Sequence, residues 1–320
     1  MATSGVYTFS VNRDAIIRMA MLNLGKLEQS ETPTSSEVAD CSAFLNMLVK
    51  QWQGTTDFAP GLKTWTRRTA HLFLHNNTGK YILGPAATGW TQSYLTTSTT
   101  ATVAAGISVI PVMSSSGMSS GDRFGIEVST GDLYWGTILS VAIGSVTLTS
   151  PLTVSALTGS TVFTYTTVST QPLKIENVML RDSLINDTPI RVMPTSNEYY
   201  QLPSRENPVN ISDPSSVYYE FQLENSFLFT DVAGSQDVTK HLVITYLEAE
   251  QDFVNPNDSP EYPQEWYLPL SLGLSKLIAP MFNAPWTALM EESAKMSLAI
   301  AQKKEPEKSS AYFQCGEIPV

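Results

Sequence analysis

DRFGIEVSTGDLYWGTILSVA, residues 122–142, places two runs of alternating apolar residues around the turn Thr130-Gly131-Asp132, the pattern of a β-hairpin. The same punctuation recurs on both sides of it. GISVIPV (106–112) lies before it, and SVTLTS (145–150) and TVFTYT (161–166) lie after it, separated by glycine-bearing turns such as Ser119-Ser120-Gly121-Asp122 and Ile143-Gly144-Ser145. Short strands at this spacing predict a small β-barrel or sandwich over residues 86–170, inserted as a unit. Its composition is unusual: 33 of the 85 residues are Ser or Thr, and only Asp122, Arg123, Glu127 and Asp132 carry charge. Strands of that kind suit a surface presented to another molecule.

Outward from this segment the pattern changes period. NRDAIIRMAMLNLG (12–25) has an N-cap candidate in Asn12 and a closing glycine, and its apolar residues point nearly all round the axis, which predicts a helix sandwiched between two surfaces. Thr34 and Glu37 have the spacing of a capping box, and Val38, Cys41, Leu45, Leu48, Val49 and Trp52 follow as one helical stripe. RTAHLFLH (68–75) and KYILGP (80–85) alternate as strands. After Pro172 so do LKIENVMLRD, TPIRVMP, SSVYYEFQLEN, SFLFT and TKHLVITYLE, with a helical turn near 196–201. Residues 263–304 predict a helical hairpin turning near Asn283-Ala284-Pro285, in which Trp286, Leu289, Met290, Ser293, Met296, Ser297, Ile300 and Ala301 share a face. The expected fold class is α+β: a helical bundle from the N- and C-terminal helices combined with antiparallel β structure, plus the inserted small β domain. The corresponding divisions are 1–85 with 171–304, 86–170, and an extended tail at 305–320.

With 320 residues, 42% of them apolar, the chain is long enough for two ordinary cores. Thirty acidic residues against nineteen basic ones give a net charge of −11, which argues against the broad basic face that duplex DNA binding requires. Cys41 and Cys315 read as reduced thiols of a cytosolic protein. The first residues lack the features of a signal peptide, and the apolar stretch from Trp266 to Trp286 is broken by Pro269, Lys276, Pro280 and Pro285, so no membrane association is expected.

Candidate chemistry is sparse. His71 and His75 have an i, i+4 spacing that suits a metal on a helix, but their segment alternates as a strand. Glu248, Glu250, Asp252, Asp258 and Glu261 cluster in sequence without the oxygen-ligand spacing of an EF-hand loop, and read as a solvated acidic loop. Arg67 and Arg68, with Lys63 and Trp65, form the densest basic and aromatic patch, and pairing with carboxylates is its expected role. The sequence contains no G-x-S-x-G, phosphate-binding glycine loop or Cys/His metal spacing. The expectation is a protein that is not an enzyme and uses no metal or cofactor. Tyr312 and Phe313 follow the polar stretch 303–308 in a segment of low structural propensity, and adjacent aromatics there suit a docking peptide.

The order of these parts resembles the head-to-tail adaptor proteins of short-tailed bacteriophages, also called connector or head-completion proteins. The resemblance is carried by the N-terminal helical pair, GDRFGIEVSTGDLYWGTI (121–138), PQEWYLPLSLGLSKLIAP (263–280) and SSAYFQ (309–314). It implies a homododecameric ring beneath the portal protein, helices side by side, and a tail in which Ser310, Ala311, Tyr312, Phe313 and Gln314 dock on the portal. Ile16, Met19, Leu22, Trp286 and Met290 are the subunit-interface candidates. The further implied partners are tail nozzle or fibre proteins, with DNA only in passage through the channel. The implied location is the head-tail junction of a virion assembled in the host cytoplasm. The alternative is a tail or baseplate module whose Ser/Thr-rich strands recognise host-surface glycans.

Overall fold

The computed structural model describes residues 9–54, 64–203, 212–233 and 237–302. By its contacts the chain divides into two compact units, one formed by Met1–Trp65 with Glu250–Val320 and the other by Thr66–Ala249. These limits differ from the sequence boundaries at 85/86 and 170/171. The helices of both chain ends share one unit, and all the strands belong to the other.

In the helical unit, α1 (Arg13–Asn23) starts where the Asn12 side chain accepts a hydrogen bond from Ala15 N, and α2 (Ser35–Trp52) starts at a complete Thr34/Glu37 capping box. Pro269 sits in the first turn of α4 (Tyr267–Ile278), where a missing N–H costs nothing, and Pro280 follows just past its end. α5 (Ala288–Gln302) is capped by Thr287, whose Oγ1 accepts from Met290 N at 3.3 Å. The four helices enclose one core built on Ile16, Ile17, Leu45, Trp266, Leu270 and Leu274. Gly273 lets α4 approach α2 closely, since a Cβ there would lie 3.0 Å from Leu48 Cδ2.

The strand unit contains two sheets and the short helix α3 (Ser196–Tyr200). The first sheet has eight strands: β1 (Arg67–Phe73), β2 (Lys80–Leu83), β3 (Trp90–Thr91), β10 (Pro172–Arg181), β11 (Asp187–Met193), β12 (Ser216–Glu220), β13 (Ser226–Thr230) and β14 (His241–Glu248). Their order is β2-β13-β12-β11-β10-β14-β1-β3, antiparallel apart from the β11–β12 pair. The second has six: β4 (Leu95–Ser98), β5 (Val109–Pro111), β6 (Arg123–Glu127), β7 (Leu133–Ala142), β8 (Ser145–Leu148) and β9 (Thr161–Tyr165), in the order β4-β9-β6-β7-β8-β5. The 122–142 hairpin is β6 paired with β7, Gly125 opposite Trp135. The indole covers that glycine so closely that a Cβ would lie 2.7 Å from it.

The expected helical bundle with an inserted small β domain is therefore corrected. Fourteen strands in two curled sheets make the chain mostly β, with five short α-helices among the described residues. The strands flanking the 86–170 segment are not additions to a bundle. They pair with one another across long sequence separations, Arg67 with Leu247 and Arg181 with His241, into a sheet with its own core of Leu72, Trp90, Val178, Leu242, Ile244 and Tyr246. The second sheet has a separate core around Phe124, Ile126, Val146 and Val162. Between the sheets lies a seam of Phe73, Leu133, Phe163 and Val238 with Tyr94 and Trp135. β14 is buried along nearly its whole length: Leu242, Ile244 and Tyr246 of one face enter the first core, and His241 of the other contacts Phe73 and Tyr94 of this seam.

Candidate functional site

α5 is apolar on two sides, and among the described residues only one of them is covered. Met290, Leu298 and Ala301 pack inward on the helical core, while Leu289, Met296 and Ile300 are 73%, 60% and 55% exposed. Positions 289, 293, 296 and 300 follow the 3.6-residue period, so these side chains form one outward stripe with Ser293 among them. The broad face read from the sequence thus splits into an inner and an outer half. The helix is anchored at its start by Glu291, which accepts from Trp286 Nε1 at 2.9 Å and pairs with Lys276 of α4 at 2.9 Å and with Lys295 at 3.3 Å. These donors, Trp286 first and then Lys276, pull the Glu291 carboxyl down to about 2. Beside α5, Leu48, Trp52, Pro269, Gly273, Leu277 and Leu298 line a groove of about 620 Å³.

The interface candidates from the sequence occupy different depths. Ile16 is fully buried in the helical core, Leu22, Trp286 and Met290 are half-buried, and Met19 is exposed. Trp286 is held by its own Glu291. Ser310, Ala311, Tyr312, Phe313 and Gln314, with Cys315, lie outside the described residues.

Four of the five acidic residues are answered inside the chain. Glu248 belongs to β14, where it pairs with Arg68 at 2.7 Å and accepts from Thr170 Oγ1 at 2.8 Å. The others belong to the helical unit. Glu250, buried, accepts from Trp65 Nε1 at 2.9 Å, and Asp252 pairs with Lys50 at 2.9 Å. Asp258 caps a turn by accepting from the backbone N–H groups of Asn255 and Val254, which lower its pKa. Glu261 is exposed. A pocket of about 330 Å³ is lined by residues 250–255 and 258–262, but its buried carboxylate already has a donor.

The two arginines are likewise occupied. Arg67 pairs with Glu176 at 2.6 Å and Arg68 with Glu248, and Lys63 lies outside the described residues. On an extended strand i and i+4 are about 13 Å apart, so His71 and His75 do not converge. His75 lies 3.3 Å from Asp132, and His71 faces His241. Among the described residues no three His, Cys, Asp or Glu side chains are placed to hold a metal. Cys41 is a free, buried thiol whose pKa burial pushes up to about 11, far from a reactive thiolate. No helix among the described residues is long and apolar enough to cross a membrane.

No protein-family model matches the chain, and no curated protein sequence does. Among solved structures, 25% of the chain is similar to 16% of the Gp54 tailspike of Acinetobacter baumannii bacteriophage AP22, in complex with A. baumannii capsular saccharide, at 13% identity and a TM-score of 0.22. A likeness of that extent carries neither fold nor function to this chain.

Proposed function

We propose that the chain is a structural subunit of a short-tailed phage particle, a ring-forming adaptor between portal and tail that seals the packaged capsid and forms part of the DNA ejection channel. The observation that carries this reading is the outer stripe of α5. Leu289, Met296 and Ile300 add apolar surface to a helix whose opposite side already packs on the subunit's own core, and a second copy of the chain is the occupant that a closed ring supplies. The resemblance of the chain's order of segments to that of head-to-tail adaptors supports the same reading. So does the charge of −11, which favours passage of DNA over its retention. Portal protein, tail nozzle or fibre proteins and further copies of the chain are the partners in this proposal, and the C-terminal residues 310–314 are the segment that reaches the portal.

The test is to mix the purified chain with portal rings and to read the complexes by native mass spectrometry. The expected species is a portal ring carrying twelve copies. An unloaded portal beside free monomer over the whole concentration range sinks the proposal.

A second reading, saccharide recognition by the six-stranded sheet, is favoured by a pocket of about 270 Å³ lined by Ser93, Tyr94, Asp122, Thr164, Tyr165 and Thr166. It combines hydroxyls and aromatic rings around the buried Asp122, whose carboxylate accepts from Ser119 N in its own turn. Binding on a glycan array that disappears in Ser93→Ala combined with Thr166→Ala would support it, and silence on the array would dismiss it.

A further inference from the structure

The seam between the two sheets contains two of the chain's three histidines. In the register of β1 and β14, His71 lies opposite Val243 and Phe73 opposite His241, so both imidazoles leave the eight-stranded sheet on the same face. Their ring centroids are 5.1 Å apart. Tyr94 stands edge-on to His71 at 4.9 Å, and its hydroxyl lies 3.4 Å from His241 Nε2. Phe73 joins the group at 5.3 Å from His241 and continues it to Phe163 of β9 at 4.5 Å. His241 is 3% exposed, and His71 Nδ1 has no hydrogen-bond partner among the described residues. Neutral imidazoles fit such an aromatic seam. Charged ones lose their hydration there and face each other as like charges.

The charges around the pair offer little compensation. Arg181 of β10 is opposite His241 in register, and its guanidinium is bound bidentately by Asp187 of β11, both contacts at 2.8 Å. Asp132, ahead of β7, faces His75, and Lys240, next to His241 in the chain, pairs with Asp213. Each of these carboxylates already faces a basic group of its own.

We propose that His71 and His241 form an acid-sensitive latch that holds the six-stranded sheet against the eight-stranded one, closed while both rings are neutral and loosened when they take up protons. Burial is the main cause that pushes both rings down to about 4, below the ordinary 6.5. For His71, Arg181 adds to it and Asp187 opposes. For His241, His71 and Arg181 add to it, while the Thr239 backbone and Asp187 oppose. The opened seam binds protons more readily than the closed one. The latch is therefore at full strength above about pH 6.5 and weakens as pH falls from there toward 4.

Two measurements on the full chain test this. In a proton NMR titration from pH 7.5 to 3.5, the His71 and His241 rings should remain neutral to about pH 5 and then titrate as the seam signals of Trp135 and Phe163 change. A midpoint at or above pH 6 for either ring, with those signals unchanged, overturns the latch. The second measurement compares hydrogen exchange in β6 and β9, corrected for intrinsic rates, between wild type and the double variant His71→Phe/His241→Phe. Opening in the wild type should rise about tenfold or more between pH 7.5 and 5, and the variant should stay flat. An equal rise in both proteins overturns the proposal, and the wild-type titration decides it if the variant does not fold.

Discussion

The loop that follows β14 and the outer side of α5 treat surface chemistry in opposite ways. Along 250–258 the three carboxylates meet donors from the same chain: the Trp65 indole, the Lys50 ammonium and two backbone N–H groups. Along α5, Leu289, Met296 and Ile300 stay more than half exposed and outside the core, although the helix already has an inward face. A charged loop draws attention in a sequence, but when its charges are satisfied locally it serves the fold. Apolar side chains left outside a finished core are where another molecule has something to gain.

The contrast can be broken most severely at α5. Leu289→Glu combined with Met296→Glu should cost about 2 kcal/mol or more of association, some thirtyfold in affinity, with thermal stability of the free chain nearly unchanged. Sedimentation velocity across a concentration series reads the first and calorimetry the second. If assembly survives both glutamates, the outer stripe has no part in it. The opposite behaviour is expected at the loop. Trp65→Phe takes the indole donor from the buried Glu250, which should destabilise the fold by about 1–3 kcal/mol in urea unfolding and leave association per folded molecule as it was. A smaller effect should come from the Glu291 anchor, where the two patterns meet on one helix. Its carboxyl is held at about 2 against an ordinary 4.5, so its support of α5 is complete above pH 4.5 and declines as the pH falls toward 2. Trp286 fluorescence should follow that decline, and Glu291→Gln should remove the acid-dependent step. A step that persists in the variant would assign it to another group.

Much of the local structure was legible in the sequence. Thr34 and Glu37 form both halves of their capping box, and the turn at Thr130-Gly131-Asp132 joins β6 to β7. These features are written within a few residues. The fold class was misread because the eight-stranded sheet depends on pairs such as Arg67 with Leu247, to which neither segment points alone. The approach of His241 to His71 is hidden for the same reason. On α5 the sequence shows a stripe from Trp286 to Ala301 but not its division, because helical periodicity places Leu289 and Met290 on one broad face and only packing against α4 and the core decides which is covered. The donors of the acidic loop, Lys50 and Trp65, lie about two hundred residues away from it in the chain.

The proposed burial of α5 in an assembly can be read directly by hydroxyl-radical footprinting of methionines. Met296 on α5 and Met113 on the strand unit are both well exposed in the free chain, at 60% and 73%. In portal-bound complexes Met296 should be oxidised several-fold more slowly than in the free chain. Oxidation of Met296 at equal rates in the free and portal-bound states would show that its surface stays open to solvent and would remove α5 from the subunit interface.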